Sequence, residues 1–216
     1  MKHFFDNLLL GRPNPLDDYF FFKVMGQKGD EKQLLGFLNA VFGRTGKEQI
    51  ESVEILENKS FPKEIDSGKS CVLDVLAVLQ DGTKVNIEVQ LGNKGNIDRR
   101  SLYYWSRVYS SSLKKGQDFK ELPNAAAINI LGFNFLPTGN IHTCFRLRED
   151  TDPTLVLPAL EIHFINMVKW RKLEGKNARN DILHRWLAWF DEESSPELVE
   201  EVVNMDDDIM AANNRY

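Results

Sequence analysis

Two carboxylates and an amide interrupt an otherwise apolar pair of segments in "LDVLAVLQDGTKVNIEVQ", residues 73–90: Asp74, Glu88 and Gln90. Carboxylates held side by side repel, so a site that keeps two of them calls for a compensating cation. A divalent metal is the simplest, because Mg²⁺ takes oxygen ligands and is commonly held by one or two carboxylates together with substrate phosphates. The plainer reading puts both acids in solvent on a polar sheet face. Gln90, one strand step beyond Glu88, weighs against it by adding a third polar group at the same place. A carboxylate pair also suits a retaining glycosidase, but no aromatic cleft for a sugar accompanies it in the chain.

Whether the acids meet depends on the turn between the segments, since side chains alternate faces along a strand. A two-residue loop, Asp81-Gly82, pairs Gln80 with Thr83 and sets Asp74 across from Val89, with Glu88 on the other face. A three-residue loop, Gln80-Asp81-Gly82, with Gly82 left-handed, pairs Leu79 with Thr83 and sets Asp74 opposite Glu88. The second register is expected. It gathers Val75, Ala77, Leu79, Val85, Ile87 and Val89 on one apolar face, as burial demands.

The elements around this hairpin follow from pattern. "NPLDDYFFFKVM" opens with a turn signal and acids suited to a helix start, and "GDEKQLLGFLNAVFG" has helical spacing closed by Gly43. "IESVEIL" reads as a first strand, and a Pro- and Gly-bearing loop leads from it to the hairpin. A helix of about five turns is expected from Ile97 to Lys115, then strands at "AAAINILGF" and "LEIHFINM". The rest, from Ala178 to Tyr216, looks helical with a Ser-Ser-Pro break and an acidic end.

An Asp on one strand and a Glu-x-Gln on the next, in this helix, hairpin, helix, strand order, resemble the PD-(D/E)XK nuclease superfamily. More narrowly, "NPLDDYFFFKVMG", "GKSCVLDVLAVLQDGTKVNIEVQ" and "RRSLYYWSRVYSSSLKKGQDFKELPNAAAINILGF" are similar to the PD-(D/E)XK family transposases and Rpn-type recombination-promoting nucleases, a likeness that runs from about Asn14 to Glu161. The resemblance implies an α/β fold: a restriction-endonuclease-like α-β-β-β-α-β core with a mixed central sheet flanked by helices, here with a helical C-terminal extension. The expected division is residues 1–170 for the nuclease-like domain and 171–216 for the acidic extension. It also implies metal-dependent hydrolysis of DNA phosphodiesters, with Mg²⁺, or Mn²⁺ in its place, held by Asp74, Glu88 and the backbone carbonyl of Val89. Gln90 stands where the superfamily usually has Lys, and Val72-Leu73 replace the "PD" pair before Asp74. An amide can donate and accept hydrogen bonds but carries no charge, so the alternative is a weak nuclease-fold module that binds DNA or a protein partner without turnover.

Other residues could join the site. Arg100, Tyr104, Arg107, Ser111 and Lys114 recur at three- and four-residue spacings and could meet a phosphate backbone, opposite a core face of Leu102, Trp105, Val108 and Tyr109. Of these, Arg100 and Tyr104, together with Lys69 in the loop before Asp74, are the expected DNA contacts. Asp18 is a possible additional acid, with helix capping as the bland role for it and for Glu31. His3, His142, His163 and His184 lack a paired spacing such as HxxxH and read as packing or surface residues.

Composition bounds these readings. The net charge of −5 is concentrated in Asp191–Asp208, which holds nine acids and no Lys or Arg, so residues 1–190 carry a balance of +3. A mildly basic body is compatible with DNA, because phosphate contacts depend on where Lys and Arg lie. No apolar run approaches the roughly 20 residues of a membrane span, and neither a signal peptide nor an organic cofactor is expected. Two cysteines, Cys71 and Cys144, suggest no disulfide framework or metal site, and a reducing cytoplasm is the expected setting. Cutting both strands of a duplex calls for two sites, so a homodimer is a reasonable partner state.

Overall fold

The computed structural model describes residues 12–29, 31–56 and 73–216, so Lys69 and Cys71 lie outside the described residues. Two helices come first, α1 (Asp18–Met25) and α2 (Lys32–Phe42). Asp17, not Asp18, caps α1 by accepting the Tyr19 N–H, while Gly43 closes α2 with φ +63°. The sheet strands are β1 (Val53–Leu56), β2 (Val75–Leu79), β3 (Lys84–Gln90), β4 (Ala125–Leu131), β5 (His142–Arg148) and β6 (Val156–Asn166), with α3 (Ile97–Ser110) between β3 and β4. The chain ends in α4 (Met167–Lys172), α5 (Ile182–Phe190), α6 (Pro196–Met205) and α7 (Asp207–Arg215).

The sheet order is β1-β2-β3-β4-β6-β5, antiparallel from β1 to β3, parallel from β3 through β4 to β6, and antiparallel again at β5. This mixed sheet flanked by helices is a restriction-endonuclease-like arrangement, as the resemblance implied. β4, "AAAINIL", is buried at every position, because a central strand between two helical layers has no solvent face. Its odd- and even-numbered residues define the layers. Ala126, Ile128 and Ile130 join Val85, Ile87 and Val89 in a core shared with α1, α2 and α5–α7. On the other face Ala125 packs with Leu76 and Val108, and Ala127 and Leu131 with Ile97 and Phe164, so that α3 covers this side.

The hairpin has the three-residue loop. The Leu79 N–H donates to the Thr83 carbonyl at 2.9 Å, the Gly82 N–H to the Leu79 carbonyl at 2.9 Å, and Gly82 has φ +83°. Three expectations need correction. α3 ends at Ser110 rather than near Lys115, because Ser110, Ser111 and Ser112 turn their hydroxyls back onto the carbonyls of Arg107 and Val108, and serines that bond backward compete with the helix. Ser111 and Lys114 therefore do not continue a helical stripe. Leu102, expected in the core, is 50% exposed, and Ile97, Ser101 and Val108 are the residues α3 buries.

The acidic end is a clamp as much as a tail. Arg171 pairs with Asp191 at 2.8 Å, Glu193 at 2.9 Å and Glu192 at 3.4 Å, and Arg185 pairs with Asp206 at 3.1 Å. Among the described residues no helix is long and apolar enough to cross a membrane.

Candidate active site

The β2–β3 ladder pairs Val78 with Lys84 and ends with Val75 opposite Ile87, so one further step sets Asp74 opposite Glu88. Beyond that point the carboxylates take over from the ladder. Asp74 Oδ2 accepts the Val89 N–H at 2.8 Å, and Glu88 Oε1 accepts the Asp74 N–H at 3.3 Å. Each acid thereby satisfies backbone on the opposite strand, which holds both at the sheet end.

The crossover brings α3 over this end. Ser101 Oγ donates to the Asn129 amide oxygen at 2.8 Å, and Asn129 stands opposite Glu88 on β4, so the first turn of α3 is pinned directly behind the acids. That fixes Arg100. Its Nη1 donates to Gln90 Oε1 at 2.7 Å and its Nη2 to Glu88 Oε2 at 3.3 Å, while the guanidinium lies over the Tyr104 ring, 4.9 Å from the centroid. Gln90 Nε2 in turn donates to the Val89 carbonyl at 2.6 Å. The structure thus brings Asp74, Glu88, Val89, Gln90, Arg100 and Tyr104 together. Asp18, exposed on the first turn of α1, acts on Asp74 through its charge.

Glu88 is 2% exposed. Burial, and then the charge of Asp74, push its carboxyl up to about 8, against the opposing pull of Arg100, the Asp74 N–H and Asn86. Asp74 is raised too, chiefly by burial and next by Asp18, while the Val89 N–H and Arg100 hold it down. Asn86 was not anticipated. It lies one step before Glu88 on the same face, fully buried, close enough to favour the Glu88 anion yet without hydrogen-bond geometry on either amide atom among the described residues. A lone buried amide in an apolar strand two residues before an acid is the signal that could have found it.

The raised Glu88 sets a testable sign. Between the ordinary carboxylate range and about 8 the folded protein keeps a proton that the unfolded chain has lost, so stability falls as pH rises through that window. Glu88→Gln, which cannot ionise, is expected to flatten this fall. Denaturant titrations from pH 5 to pH 9 without divalent metal read it; a variant losing stability as steeply as wild type would count against the buried proton.

No curated protein and no solved structure matches the chain. One family model does, described as PD-(D/E)XK nuclease family transposase. Its match covers residues 15–213, from just before α1 almost to the end of α7, and the chain therefore belongs to the PD-(D/E)XK nuclease family transposases.

Proposed function

We propose that this protein is a nuclease hydrolysing DNA phosphodiester bonds, with Asp74 and Glu88 holding a divalent cation, Mg²⁺ or in its place Mn²⁺. The observation that carries the reading is the opposed pair itself: two acids of raised proton affinity, one of them fully buried and paired with Arg100. Membership of the family supports a nuclease-type hydrolase in general and DNA as its substrate class. The donor set fits a hard cation, being two carboxylates and the Val89 carbonyl, all oxygen. Such an ion, when bound, supplies charge neutralisation at a phosphate and a more acidic water.

The chain's own residues do the rest. Gln90 brings no charge to the position where the superfamily has Lys, but Arg100 Nη1, 2.7 Å from its oxygen, brings a permanent one from α3. A guanidinium stays protonated, so it serves as an electrostatic and phosphate-binding group, never as a base. With its oxygen on Arg100, Gln90 is held in a single amide orientation. Tyr104 supports the guanidinium face, and Lys69 remains a proposed phosphate contact.

A second reading, binding without turnover, is favoured by one feature: Gln90 occupies the Val89 carbonyl and Arg100 occupies Glu88. One experiment separates the two. Supercoiled plasmid incubated with the protein is expected to be nicked in Mg²⁺ or Mn²⁺ and left intact with a chelator. Plasmid that is retarded on a gel but uncut selects the binding reading, and DNA unchanged in both form and mobility sinks both.

A further inference from the structure

The far edge of the sheet carries a second polar cluster, on the face opposite Asp74 and Glu88. β5 and β6 pair with Cys144 across from His163, and the two-residue strand period places His142 and Cys144 on the same face as Glu161 and His163. His163, 1% exposed, has both ring nitrogens engaged. Nδ1 is 3.0 Å from His142 Nε2. Nε2 faces Cys144 Sγ at 3.6 Å and Glu161 Oε2 at 3.3 Å. Phe42 closes the far side edge-on at 5.2 Å. The other Glu161 oxygen accepts from Arg146 Nε at 2.7 Å, leaving Oε2 aimed at the imidazole.

A single Nε2 proton can serve only one of the sulfur and the carboxylate, and the thiol's other partner, the Phe145 carbonyl, is distant at 3.8 Å; a metal ion between the three donors engages all of them. We propose that Cys144 Sγ, Glu161 Oε2 and His163 Nε2 form a transition-metal site suited to Zn²⁺, with a water completing four-coordination. The three donor atoms lie within 4.8 Å of one another. Ordinary zinc bond lengths at a tetrahedral angle put sulfur and nitrogen about 3.6 Å apart, and nitrogen and oxygen about 3.3–3.4 Å apart; the two distances here are 3.6 and 3.3 Å. Thiolate and imidazole select zinc over the hard Mg²⁺.

His142 is then an outer-shell partner. With Nε2 on the metal, His163 keeps its proton on Nδ1 and donates it to His142 Nε2, which fixes tautomer and ring orientation. Thiolate and carboxylate neutralise the dication, the Cys144 proton leaves to solvent on binding, and Arg146 stays on Oε1. A Cys-His nucleophile fits less well, because there the acid orients the base from the nitrogen away from the sulfur, whereas here sulfur and acid share Nε2. The site would tie the edge strand β5 to β6 beside the register shift at Arg146 and Leu147.

The test uses the full chain, stripped with a chelator and titrated with Co²⁺ as the coloured stand-in for zinc. One equivalent is expected to bind with a thiolate-to-cobalt charge-transfer band, displaced by Zn²⁺ and accompanied by a rise in Tm. Cys144→Ser should abolish the band and weaken binding at least about 100-fold, since even an outer-shell partner is worth about 10–100-fold, the loss expected for His142→Ala. Cys71→Ser and Asp74→Ala should leave the band unchanged, which separates this site from the nuclease centre. Wild-type protein without a thiolate band, or a band that persists in Cys144→Ser, overturns the proposal. Should Cys144→Ser fail to fold, Glu161→Gln serves: weaker binding with the band retained supports the site, and unchanged affinity refutes it.

Discussion

Glu88→Ala is expected to lower metal-dependent nicking at least about 1,000-fold, because the charge stabilisation of a bound divalent ion is worth several kcal/mol and each ~1.4 kcal/mol is tenfold in rate. Asp74→Ala should do the same, and it too removes more than a ligand. It deletes a proposed ligand, and it leaves the Val89 N–H without the carboxylate that accepts it at 2.8 Å. Asp74→Asn, which still offers an oxygen to that N–H, should therefore be as inactive as the Ala variant yet closer to wild type in stability. Glu88 differs in degree, its anion being the more strongly disfavoured of the two. Burial and Asp74 disfavour its anion, so Glu88→Gln should be at least as stable as wild type above neutral pH while losing cleavage. A residue whose removal helps the fold and abolishes activity is kept for function. Initial rates of supercoiled plasmid loss, with Mn²⁺ titrations by calorimetry, measure both halves. A Glu88→Ala protein that keeps more than a tenth of the wild-type rate would remove the pair from the chemistry.

The acids were legible in the sequence because turn chemistry and burial agree there: Gly82 permits the three-residue loop, and only that register puts six apolar side chains on one face. Arg100 was legible as a candidate, but its contact with Gln90 was not. That contact depends on the rotation of α3, and the apolar residues of "IDRRSLYYWSRVYS" misplace it by suggesting that Leu102 is buried. The actual seam includes Ser101, whose hydroxyl is held by Asn129 on β4, and a polar residue in a seam gives no hydrophobic signal. β5 went unread for a related reason. As an edge strand, "HTCFRLR" has one partner and much exposed surface, so its pattern is mixed. The Cys144, Glu161 and His163 cluster has no helical spacing such as HxxxH to mark it in the sequence. Its ligands are instead two apart along β6 and meet Cys144 across the strand pair, 19 residues away from His163 in sequence.

Trp186→Ala is the substitution expected to cost the fold most, about 3–5 kcal/mol, the range for truncating a large buried aromatic. Trp186 is 0% exposed, and its ring meets those of Phe37 on α2 at 5.7 Å and Phe190 on α5 at 5.8 Å. In a protein of this size that loss corresponds to a fall in Tm on the order of 10 °C. Trp186→Phe should be much milder. The indole N–H is buried with no partner among the described residues, and an unmade hydrogen bond costs about 1–3 kcal/mol, so removing it offsets part of the lost volume. The same measurement bears on how residues 171–216 relate to the rest of the chain. Val199, Val202, Ile209 and Ala212 from α6 and α7 share one core with Leu34, Phe37 and the apolar face of the hairpin. Gly36 lets α7 come so near α2 that a β-carbon there would lie 2.5 Å from that of Asp208. We therefore expect far- and near-ultraviolet dichroism to report one coincident transition, lowered as a whole in Trp186→Ala. Two separate transitions, the first removing part of the helical signal together with the near-ultraviolet signal of Trp186 and Trp189, would instead make the last helices a separate folding unit.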